Sequence, residues 1–477
     1  MKQYQTFIFD SCALDAEAGT IELRYSLDDE VFFTETVLLP KDYQLQAPSE
    51  QQEAALAALH LIGGISYYKT CLPKKMKIRS DSLTQEQAQF WNTVYTKGLG
   101  EFFFRNQIDF RSLINFPSSP LTPALSPRER VVQSAGRGAR ILVPIGGGKD
   151  STVTAELLKK AGFDVTLFRI GKHPLIEQAA KIAGLPLLTV ERHLAPELFK
   201  LNAEGALNGH VPITAYLSFL SVVIAELYGF QYIMMSNERS ANEGNTEYLD
   251  EQINHQWSKS LECERMFRKY CESIGVSVEY CSLLRPLSEL SIVKIFSTLP
   301  QYFSCVTSCN TNWRLTAPLS PVPSPTGGGV RGGGQARWCG NCPKCAFAFA
   351  MFAAFLPKKM LQEIFGKNLF DEESLQPFFR QLLGLEGFKP FECVGTPEET
   401  KAAFLLAASR GDLNDSKAMQ VFLKEVKPTI RDGKTLIASM LEPSDEHCIP
   451  EQFLSVLPEV RPSTVALAKA EVLSPLS

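Results

Sequence analysis

Residues 141–152 read ILVPIGGGKDST, a short apolar run that ends at three glycines and continues into an amphipathic helical pattern. Glycine has no Cβ, so the backbone can turn tightly there and bring its N–H groups against an anion. The helix start that follows adds unpaired N–H groups and the positive end of the helix dipole. The segment therefore predicts a phosphate-binding loop, whose candidate residues are Gly146, Gly147, Gly148, Lys149, Asp150 and Ser151.

The type of phosphate loop is indicated by the residues after the glycines. A Walker A motif needs Gly-Lys followed by Ser or Thr, whereas Asp150 follows Lys149 here. Gly-Gly-x-Lys-Asp-Ser after a strand instead resembles the pyrophosphate loop of the PP-loop ATPases, which cleave ATP to AMP and pyrophosphate. The alternative is a tight strand-to-helix turn without a ligand, which needs only one or two glycines.

Strand and helix patterns alternate from Arg140 to about Ser304. Apolar runs predict strands at 141–145, 165–169, 187–190, 232–236 and 276–280, separated by helical patterns. This alternation is typical of βαβ units with ligands at the carboxyl ends of the strands. The expected fold is therefore α/β, with a doubly wound parallel sheet of the PP-loop, adenine nucleotide alpha hydrolase-like type.

The rest of the chain divides by its sequence patterns. Residues 1–116 show strand-like alternation followed by helical patterns, which predicts a separate N-terminal α+β domain. The expected ATP-binding domain spans residues 140–314. A cysteine-rich and helical extension is expected at 338–410, and a C-terminal helical region at 411–477.

Two segments, 117–139 and 315–337, are rich in Pro, Ser and Gly and resemble each other in composition and order. Such tracts cannot bury enough apolar surface to order themselves. The glycine runs of the second segment have no strand before them and no helix after them, unlike a nucleotide loop. We expect both segments to be disordered insertions without a chemical role.

Composition excludes several classes of partner. The chain is 45% hydrophobic and 21% charged, and 48 Lys and Arg residues face 52 Asp and Glu residues, for a net charge of −4. This balance argues against a nucleic-acid surface. The most apolar run, residues 346–356, is too short to span a bilayer, and no N-terminal signal is evident. We expect a cytoplasmic protein without nucleic-acid binding or membrane insertion.

Five of the twelve cysteines are concentrated in one region of the chain, residues 305–345, and the other seven are scattered. Four of them follow the pattern C-x29-C-x2-C-x2-C, in which thiolates on a Gly- and Pro-containing turn suit a tetrahedral zinc ion; they are Cys309, Cys339, Cys342 and Cys345. Cys305 is a rival for the first ligand. Reduced free thiols and an iron–sulfur cluster are the alternatives. A structural zinc site is favoured because no redox partner motif is evident.

Polar residues follow the predicted fourth strand and precede two predicted helices. Asn237 and Glu238 leave that strand at its carboxyl end, where side chains face a nucleotide in doubly wound folds; a solvated loop is the alternative. His255 and Lys259 stand just before one helix, and His210 before another. Histidine can be an acid or a base near neutral pH, although a lone histidine is more often structural.

Several further segments narrow the resemblance within the PP-loop proteins. Together with the glycine loop they resemble the UDP-N-acetylmuramoyl-L-alanyl-L-glutamate epimerases, the MurL family of bacterial peptidoglycan synthesis, over most of residues 1–410 apart from the two Pro/Ser/Gly segments. The segments are Gly64–Lys69, Gly98–Phe102, Val143–Ser151, Asn208–Pro212, Ser236–Ala241, Asn254–Gln256, Trp338–Cys345 and Lys389–Thr396.

The resemblance implies an ATP-dependent epimerisation of the terminal L-glutamate of UDP-N-acetylmuramoyl-L-alanyl-L-glutamate to D-glutamate. An acyl-adenylate would remove the carboxylate charge and acidify the neighbouring Cα–H, with AMP and pyrophosphate as further products. Lys149 would then offset phosphate charge and Asp150 would help to hold Mg²⁺. His255, His210 and Lys259 are the candidate proton-transfer groups, and Cys393 is the next place to look.

Two rival functions remain open from the sequence. A PP-loop enzyme that thiolates a tRNA base would need a basic surface, which the charge balance does not indicate. A non-catalytic nucleotide-binding protein would not need Lys149, Asp150 and Ser151 together.

Overall fold

The computed structural model describes residues 2–40, 47–80, 82–119, 138–309 and 337–457. Most of the two Pro/Ser/Gly segments, and the chain after residue 457, lie outside these residues. Backbone contacts group the chain into two compact units. The described part of the first contains 2–40, 47–80, 82–119, 138–146, 150–288 and 443–457, and the described part of the second contains 147–149, 289–309 and 337–442.

The first unit is built on one large mixed sheet of nine strands, as counted over the described residues. Its order is β11-β8-β5-β6-β7-β3-β2-β1-β4, and β9 and β10 form a separate hairpin. The strands are β1 (Thr6–Asp15), β2 (Thr20–Leu27), β3 (Val31–Leu38), β4 (Lys75–Ile78), β5 (Arg140–Pro144), β6 (Asp164–Ile170), β7 (Leu187–His193), β8 (Tyr232–Met235), β9 (Thr246–Tyr248), β10 (Glu251–Ile253) and β11 (Glu279–Ser282).

Five neighbouring strands of the sheet, from β11 to β7, are parallel. The chain runs outward from β5 to β7 and then returns to the other side of β5 with β8, so the strand order reverses at β5. In open α/β sheets, ligands bind outside the carboxyl ends of the strands at such a reversal. The glycine loop, which directly follows β5, therefore occupies the expected place for a ligand.

The α/β class and the parallel strands are confirmed with small shifts at their ends. The largest shift is at the last strand, which the apolar run placed at 276–280 and which begins at Glu279 in the structure. Pairing explains the shift, because β11 meets its neighbour β8 only from Glu279 opposite Tyr232 onward.

The N-terminal strands differ from the expectation of a separate domain, since they continue the same sheet. β3 pairs antiparallel with β7, and the buried Glu35 of β3 accepts hydrogen bonds of 2.8 and 2.9 Å from Arg192 of β7. The hydroxyls of Tyr67 and Tyr216 donate to the same carboxylate. Removing one partner from a buried ion pair costs about 3–5 kcal/mol, so this long-range contact stabilises the junction of the two sets of strands.

Several helices of the first unit lie between these strands along the chain, and two of them begin with capping boxes at Ser49 and Thr84. Their bounds are α1 (Glu50–Gly63), α2 (Ile65–Tyr68), α3 (Gln85–Gly98), α4 (Gly100–Arg105), α5 (Lys149–Lys160, whose first residue groups with the second unit), α6 (Pro174–Ala183), α7 (Pro196–Ala203), α8 (Ile213–Tyr228) and α9 (Leu261–Ser273).

The second unit is helical in its described residues, as predicted for the chain after residue 346. Its central helix, α11, is buried on all sides because nearly all of its residues are apolar. The helices of this unit are α10 (Glu289–Phe296), α11 (Pro343–Ala353), α12 (Lys358–Phe365), α13 (Gln376–Leu382), α14 (Pro397–Arg410), α15 (Lys417–Val421) and α16 (Gly433–Leu441), and α17 (Glu451–Leu454) belongs to the first unit.

Within the described residues, no helix combines the length and the apolar character that crossing a bilayer requires.

Candidate active site and metal centre

The glycine loop has space for a side chain at two of its three glycines. Gly147 has a φ of +76°, a left-handed conformation that favours glycine. A Cβ at Gly146 would meet none of the described atoms within 4 Å, and one at Gly148 would lie 4.0 Å from the carbonyl oxygen of Thr307. Packing therefore does not require glycine at these two flanking positions. A ligand that approaches the backbone closely would explain why these two positions are glycine.

Lys149, at the first turn of α5, forms an ion pair with Glu289 at the start of α10. Both side chains are buried. The other carboxylate oxygen of Glu289 lies 3.9 Å from Nζ of Lys344, within the Cys-Pro-Lys-Cys turn. Two ammonium groups thus share one buried carboxylate, and the sequence analysis did not identify Glu289.

A second carboxylate supports this arrangement. Oε1 of Glu399 accepts a 2.8 Å hydrogen bond from the backbone N–H of Glu289, while Oε2 accepts one of 2.7 Å from Thr396. Lys344 also donates to the carbonyl oxygen of Cys393. Through Glu399 and Lys344, the 389–396 segment is connected to Glu289, the residue that pairs with Lys149. This connection gives a structural reason why the segment accompanies the glycine loop among the segments that resemble the family.

Asp150 and Ser151 lie in the first turn of α5, Asp150 half-buried and Ser151 buried. The other two candidate nucleotide residues, Asn237 and Glu238, follow β8. Nδ2 of Asn237 donates a 3.0 Å hydrogen bond to Oγ of Ser282, at the end of β11. Asn237 therefore lies where the carboxyl ends of β8 and β11 are adjacent.

The loop after β8 is held by a buried arginine. Nη1 of Arg285 donates a 2.7 Å hydrogen bond to the carbonyl oxygen of Glu238, and Nη2 lies 3.0 Å from the carboxylate of Glu264. Arg285 and Glu264 are both almost fully buried. Their contact fixes the backbone of Glu238 without using its side chain.

Three segments of the first unit bring two histidines onto one carboxylate. His255, after β10, bonds through Nδ1 to Oε2 of Glu101 on α4. Nδ1 of His210 lies 3.4 Å from the same oxygen, and the two imidazole centroids are 4.6 Å apart. The other oxygen, Oε1, accepts a 2.5 Å hydrogen bond from Arg105. We call Glu101, His210 and His255 the Glu–His cluster.

Close packing of the chain neighbours holds the Glu–His cluster together. A Cβ at Gly98 would lie 2.9 Å from Pro212, and Gly100 lies against Ile253 of β10. Gly209 has a φ of +153°, and a Cβ there would lie 3.2 Å from Phe102. Each contact joins a residue beside Glu101 to one near His210 or His255.

Burial and charge set the protonation of the Glu–His cluster. Burial of the imidazole is the main cause that lowers the pKa of His210 to about 4, and the neighbouring His255 contributes in the same direction. Glu101 acts in the opposite direction. Burial acts to raise the pKa of Glu101, but the hydrogen bond from His255 and the charges of both histidines lower it overall. At neutral pH Glu101 is therefore ionised and His210 is neutral.

Lys259, the third candidate for proton transfer, lies in the turn that follows His255. Its Nζ donates a 3.4 Å hydrogen bond to Oε1 of Gln256, and its carbonyl oxygen accepts a hydrogen bond from Arg285. The structure therefore places its backbone with the loop after β8.

The four predicted metal ligands come together in the second unit. The Sγ atoms of Cys309, Cys339, Cys342 and Cys345 all lie within 4.8 Å of one another. A tetrahedral zinc ion with Zn–S bonds of about 2.3 Å separates its sulfurs by about 3.8 Å. The distance between Cys339 Sγ and Cys345 Sγ is 3.7 Å, so the cluster could hold a metal ion of this size.

Cys305, the rival first ligand, has another role in the structure. Its buried thiol donates a 3.5 Å hydrogen bond to the carbonyl oxygen of Tyr302. Cys309 is the residue that joins the other three sulfurs.

Comparison with known proteins finds similar sequences over most of the chain. The MurL N-terminal domain family matches residues 1–283, and the MurL C-terminal domain family matches residues 305–436. A relative from Xanthomonas oryzae pv. oryzae, named UDP-N-acetyl-alpha-D-muramoyl-L-alanyl-L-glutamate epimerase, is 38% identical over 94% of this chain and 96% of its own length. Relatives of the same name from Salinispora tropica and a Micromonospora species are 36% and 35% identical, over 90% and 96% of this chain and 90% and 98% of their own lengths.

These matches define the class of protein as an epimerase, an enzyme of the isomerase type. The chain belongs to the MurL family. The resemblance inferred from its motifs is thereby confirmed.

Three side chains of the site were missed from the sequence. Glu101 stands in the Gly98–Phe102 segment, which was noted only as part of the resemblance. Glu399 had a stronger signal, since Thr396-x-x-Glu399 is a capping-box pattern before a helix. Glu289 had only the weak signal of an acidic residue at a helix start.

Proposed function

We propose that this chain epimerises the terminal L-glutamate of UDP-N-acetylmuramoyl-L-alanyl-L-glutamate to D-glutamate in peptidoglycan precursor synthesis. Three relatives carry the name of this epimerase, and they are similar over at least 90% of the chain. ATP would be consumed, giving AMP and pyrophosphate through an acyl-adenylate of the substrate.

Adenylation answers the main chemical difficulty of the reaction. A free α-carboxylate makes the neighbouring Cα–H very hard to remove, because deprotonation would add a second negative charge beside the first. Attack of the carboxylate on the α-phosphate of ATP would release pyrophosphate and give a mixed anhydride with AMP, whose uncharged carbonyl can accept the electron pair left by the proton. After protonation on the opposite face, hydrolysis releases AMP and the D-glutamate product.

The glycine loop is the proposed site for the phosphates of ATP. The space beside Gly146 and Gly148, followed by the first turn of α5, supports anion binding. In this proposal Lys149 offsets phosphate charge, with Glu289 fixing its position, and Asp150 helps to hold Mg²⁺, which would screen the phosphate oxygens. Ser151 and the Asn237–Glu238 pair complete the proposed nucleotide contacts.

The observation that carries the proton-transfer step is the pairing of His255 and His210 with one buried carboxylate. A carboxylate on Nδ1 sets the orientation of an imidazole, which leaves Nε2 as the atom that exchanges a proton with a substrate. The imidazoles are 14% and 18% exposed, so the pair is accessible from solvent. Lys259 remains a candidate for a supporting role.

The four-cysteine cluster is the proposed site of a structural zinc ion. Four cysteine sulfurs that all lie within 4.8 Å of one another form a complete set of four thiolate donors, which suits a structural site. In this proposal the metal takes no part in the reaction and holds Lys344, which lies between two of its ligands, beside Glu289.

One assay tests the reaction as a whole. Purified protein is incubated with ATP, Mg²⁺ and UDP-N-acetylmuramoyl-L-alanyl-L-glutamate, and the chirality of the glutamate and the nucleotide products are determined. We expect D-glutamate together with AMP and pyrophosphate. Unchanged L-glutamate would refute the epimerisation, whereas ADP and phosphate would refute the adenylation route alone.

A further inference from the structure

Lys69 is a buried lysine whose ammonium group has an unusual environment. It is only 4% exposed, and Nζ donates a 2.9 Å hydrogen bond to Oδ1 of Asn208 and faces the ring of Phe102 at 5.9 Å. No carboxylate of the described residues forms an ion pair with it. Buried lysines are rare unless they are paired, so this position calls for a chemical reason.

The two neighbours of Lys69 place it beside the Glu–His cluster. Phe102 follows Glu101 directly, and Asn208 lies two residues before His210. Gly209, between Asn208 and His210, packs against Phe102. Lys69 therefore contacts the two short segments, at 101–102 and 208–210, that carry Glu101 and His210.

The Glu–His cluster by itself supplies only one side of an epimerase site. A carbon held between two opposed proton-transfer groups needs about 3–3.5 Å to each of them, or about 6–7 Å between the groups. The imidazole centroids of His210 and His255 are only 4.6 Å apart, and both rings contact the same oxygen of Glu101. This close pairing of the two rings on one oxygen favours a role of both histidines on one face of a substrate carbon.

We propose that Lys69 is the second proton-transfer residue, acting on the face of the substrate Cα opposite to the Glu–His cluster. The assignment rests on the proposed epimerase function. Burial supports the role, because it lowers the pKa of Lys69 to about 8. An amine in that range can be both base and acid near neutral pH.

The proton balance of the step is symmetric. In one direction the neutral Lys69 amine takes the Cα proton, and the electron pair of the C–H bond moves into the activated carbonyl. The His255 imidazolium, stabilised by Glu101, then donates a proton to the opposite face of Cα. The reverse direction uses the imidazole as the base and the Lys69 ammonium as the acid. No oxidant or further co-reactant is needed.

Single variants test the assignment through the asymmetry of hydrogen exchange. Lys69→Met should lower epimerisation about 100- to 10 000-fold, while the Glu–His cluster still exchanges the Cα proton of one epimer with solvent deuterium. His255→Asn should show the converse, with exchange restricted to the other epimer. Pyrophosphate exchange into ATP, measured with the same substrate, should remain in both variants and reports that they are folded. Lys77→Met, at an exposed lysine of β4, is the matched control and should behave as wild type.

Lys69→Arg separates proton transfer from anion binding. Arginine keeps the positive charge but does not deprotonate in proteins, so this variant should be as inactive in epimerisation as Lys69→Met. Recovery of activity in Lys69→Arg, or a Lys69→Met variant with normal turnover and only a raised KM, would overturn the assignment alone. Loss of exchange with both epimers, with pyrophosphate exchange intact, would overturn it as well. A wild-type protein without epimerase activity would instead overturn the proposed function and this assignment together.

Discussion

The glycine loop and the Glu–His cluster differ in how the chain assembles them. Gly146–Ser151 is one continuous segment whose chemistry can be read from neighbouring residues. Glu101, His210 and His255 come from three segments separated by more than a hundred and by more than forty positions. A phosphate loop therefore leaves a local pattern in the sequence, whereas a proton-transfer group assembled by packing leaves only isolated polar residues.

The two regions also treat a buried lysine differently. Lys149 is paired with the buried carboxylate of Glu289, which keeps its charge fixed. Lys69 has an amide and an aromatic ring as its neighbours, and burial lowers its pKa to about 8. A paired lysine suits the binding of phosphate charge, and an unpaired one suits proton transfer. Variants in the two regions should therefore differ in the assays that they affect.

The largest effect is expected at the cysteine cluster, because structural zinc sites contribute about 10–16 kcal/mol in zinc-finger peptides. Protein purified under reducing conditions without chelator should contain about one zinc per chain, and Cys342→Ser should lose the metal and unfold at lower temperature. Cys305→Ser is the control and should keep the metal, since its thiol contacts Tyr302. Metal-free wild type would contradict the site, and a second equivalent would point to the Glu–His cluster as a metal site and against its acid–base role.

The next largest effect is expected at the Glu–His cluster. His255→Asn and His210→Asn should each lower the rate of epimerisation, for His255 by about 100- to 10 000-fold, with pyrophosphate exchange into ATP unchanged. The separation follows because adenylation precedes proton removal and does not need an imidazole. His193→Asn, at an exposed histidine of β7, should have no effect. Full epimerisation by both site variants would assign the histidines a structural role and direct attention to other residues such as Cys393.

A smaller effect, but on both assays together, is expected at the glycine loop. Asp150→Ala and Lys149→Ala should each lower epimerisation and pyrophosphate exchange, since electrostatic contacts of this kind contribute about 2.7–4 kcal/mol to lowering a barrier. Lys159→Ala, at a half-exposed lysine of the same helix, is the control. Unchanged turnover of Asp150→Ala would exclude the proposed Mg²⁺ role of that carboxylate.

The sequence was sufficient for features that depend on neighbours along the chain. The strand–glycine–helix unit at 141–160 and the spacing of Cys339, Cys342 and Cys345 follow from local backbone chemistry, and the structure has both. The separate N-terminal domain was not a safe inference, because the pairing of β3 with β7 and the Glu35–Arg192 contact are long-range. No local pattern marks a strand as the continuation of a distant sheet.

The site divides in the same way. The histidines could be named from the sequence as candidates, but their shared carboxylate could not, because Glu101 is more than a hundred residues away from either. The 4.6 Å separation of the two imidazole centroids, which favours a role on one face of the substrate, could not be read from the sequence either. Lys69 could be recognised only from burial without an acidic partner among the described residues.

The smallest effect, none on zinc content or activity, is expected from deleting residues 316–336. Most of the second Pro/Ser/Gly segment lies outside the described residues. Oγ1 of Thr307 donates a 2.7 Å hydrogen bond to the carbonyl oxygen of Arg337, so described residues from the two sides of the segment are in contact. Cys309 and Cys339 then enter the same sulfur cluster from the two sides. Because each doubling of a flexible loop costs only about 0.6 kcal/mol, a shorter connection should close as easily or slightly more easily.

The deleted protein should be compared with the full chain for bound zinc, unfolding temperature and epimerisation. If the deletion removed the metal, the segment would have a role in the folded cysteine region and the expectation of an insertion without a chemical role would be wrong.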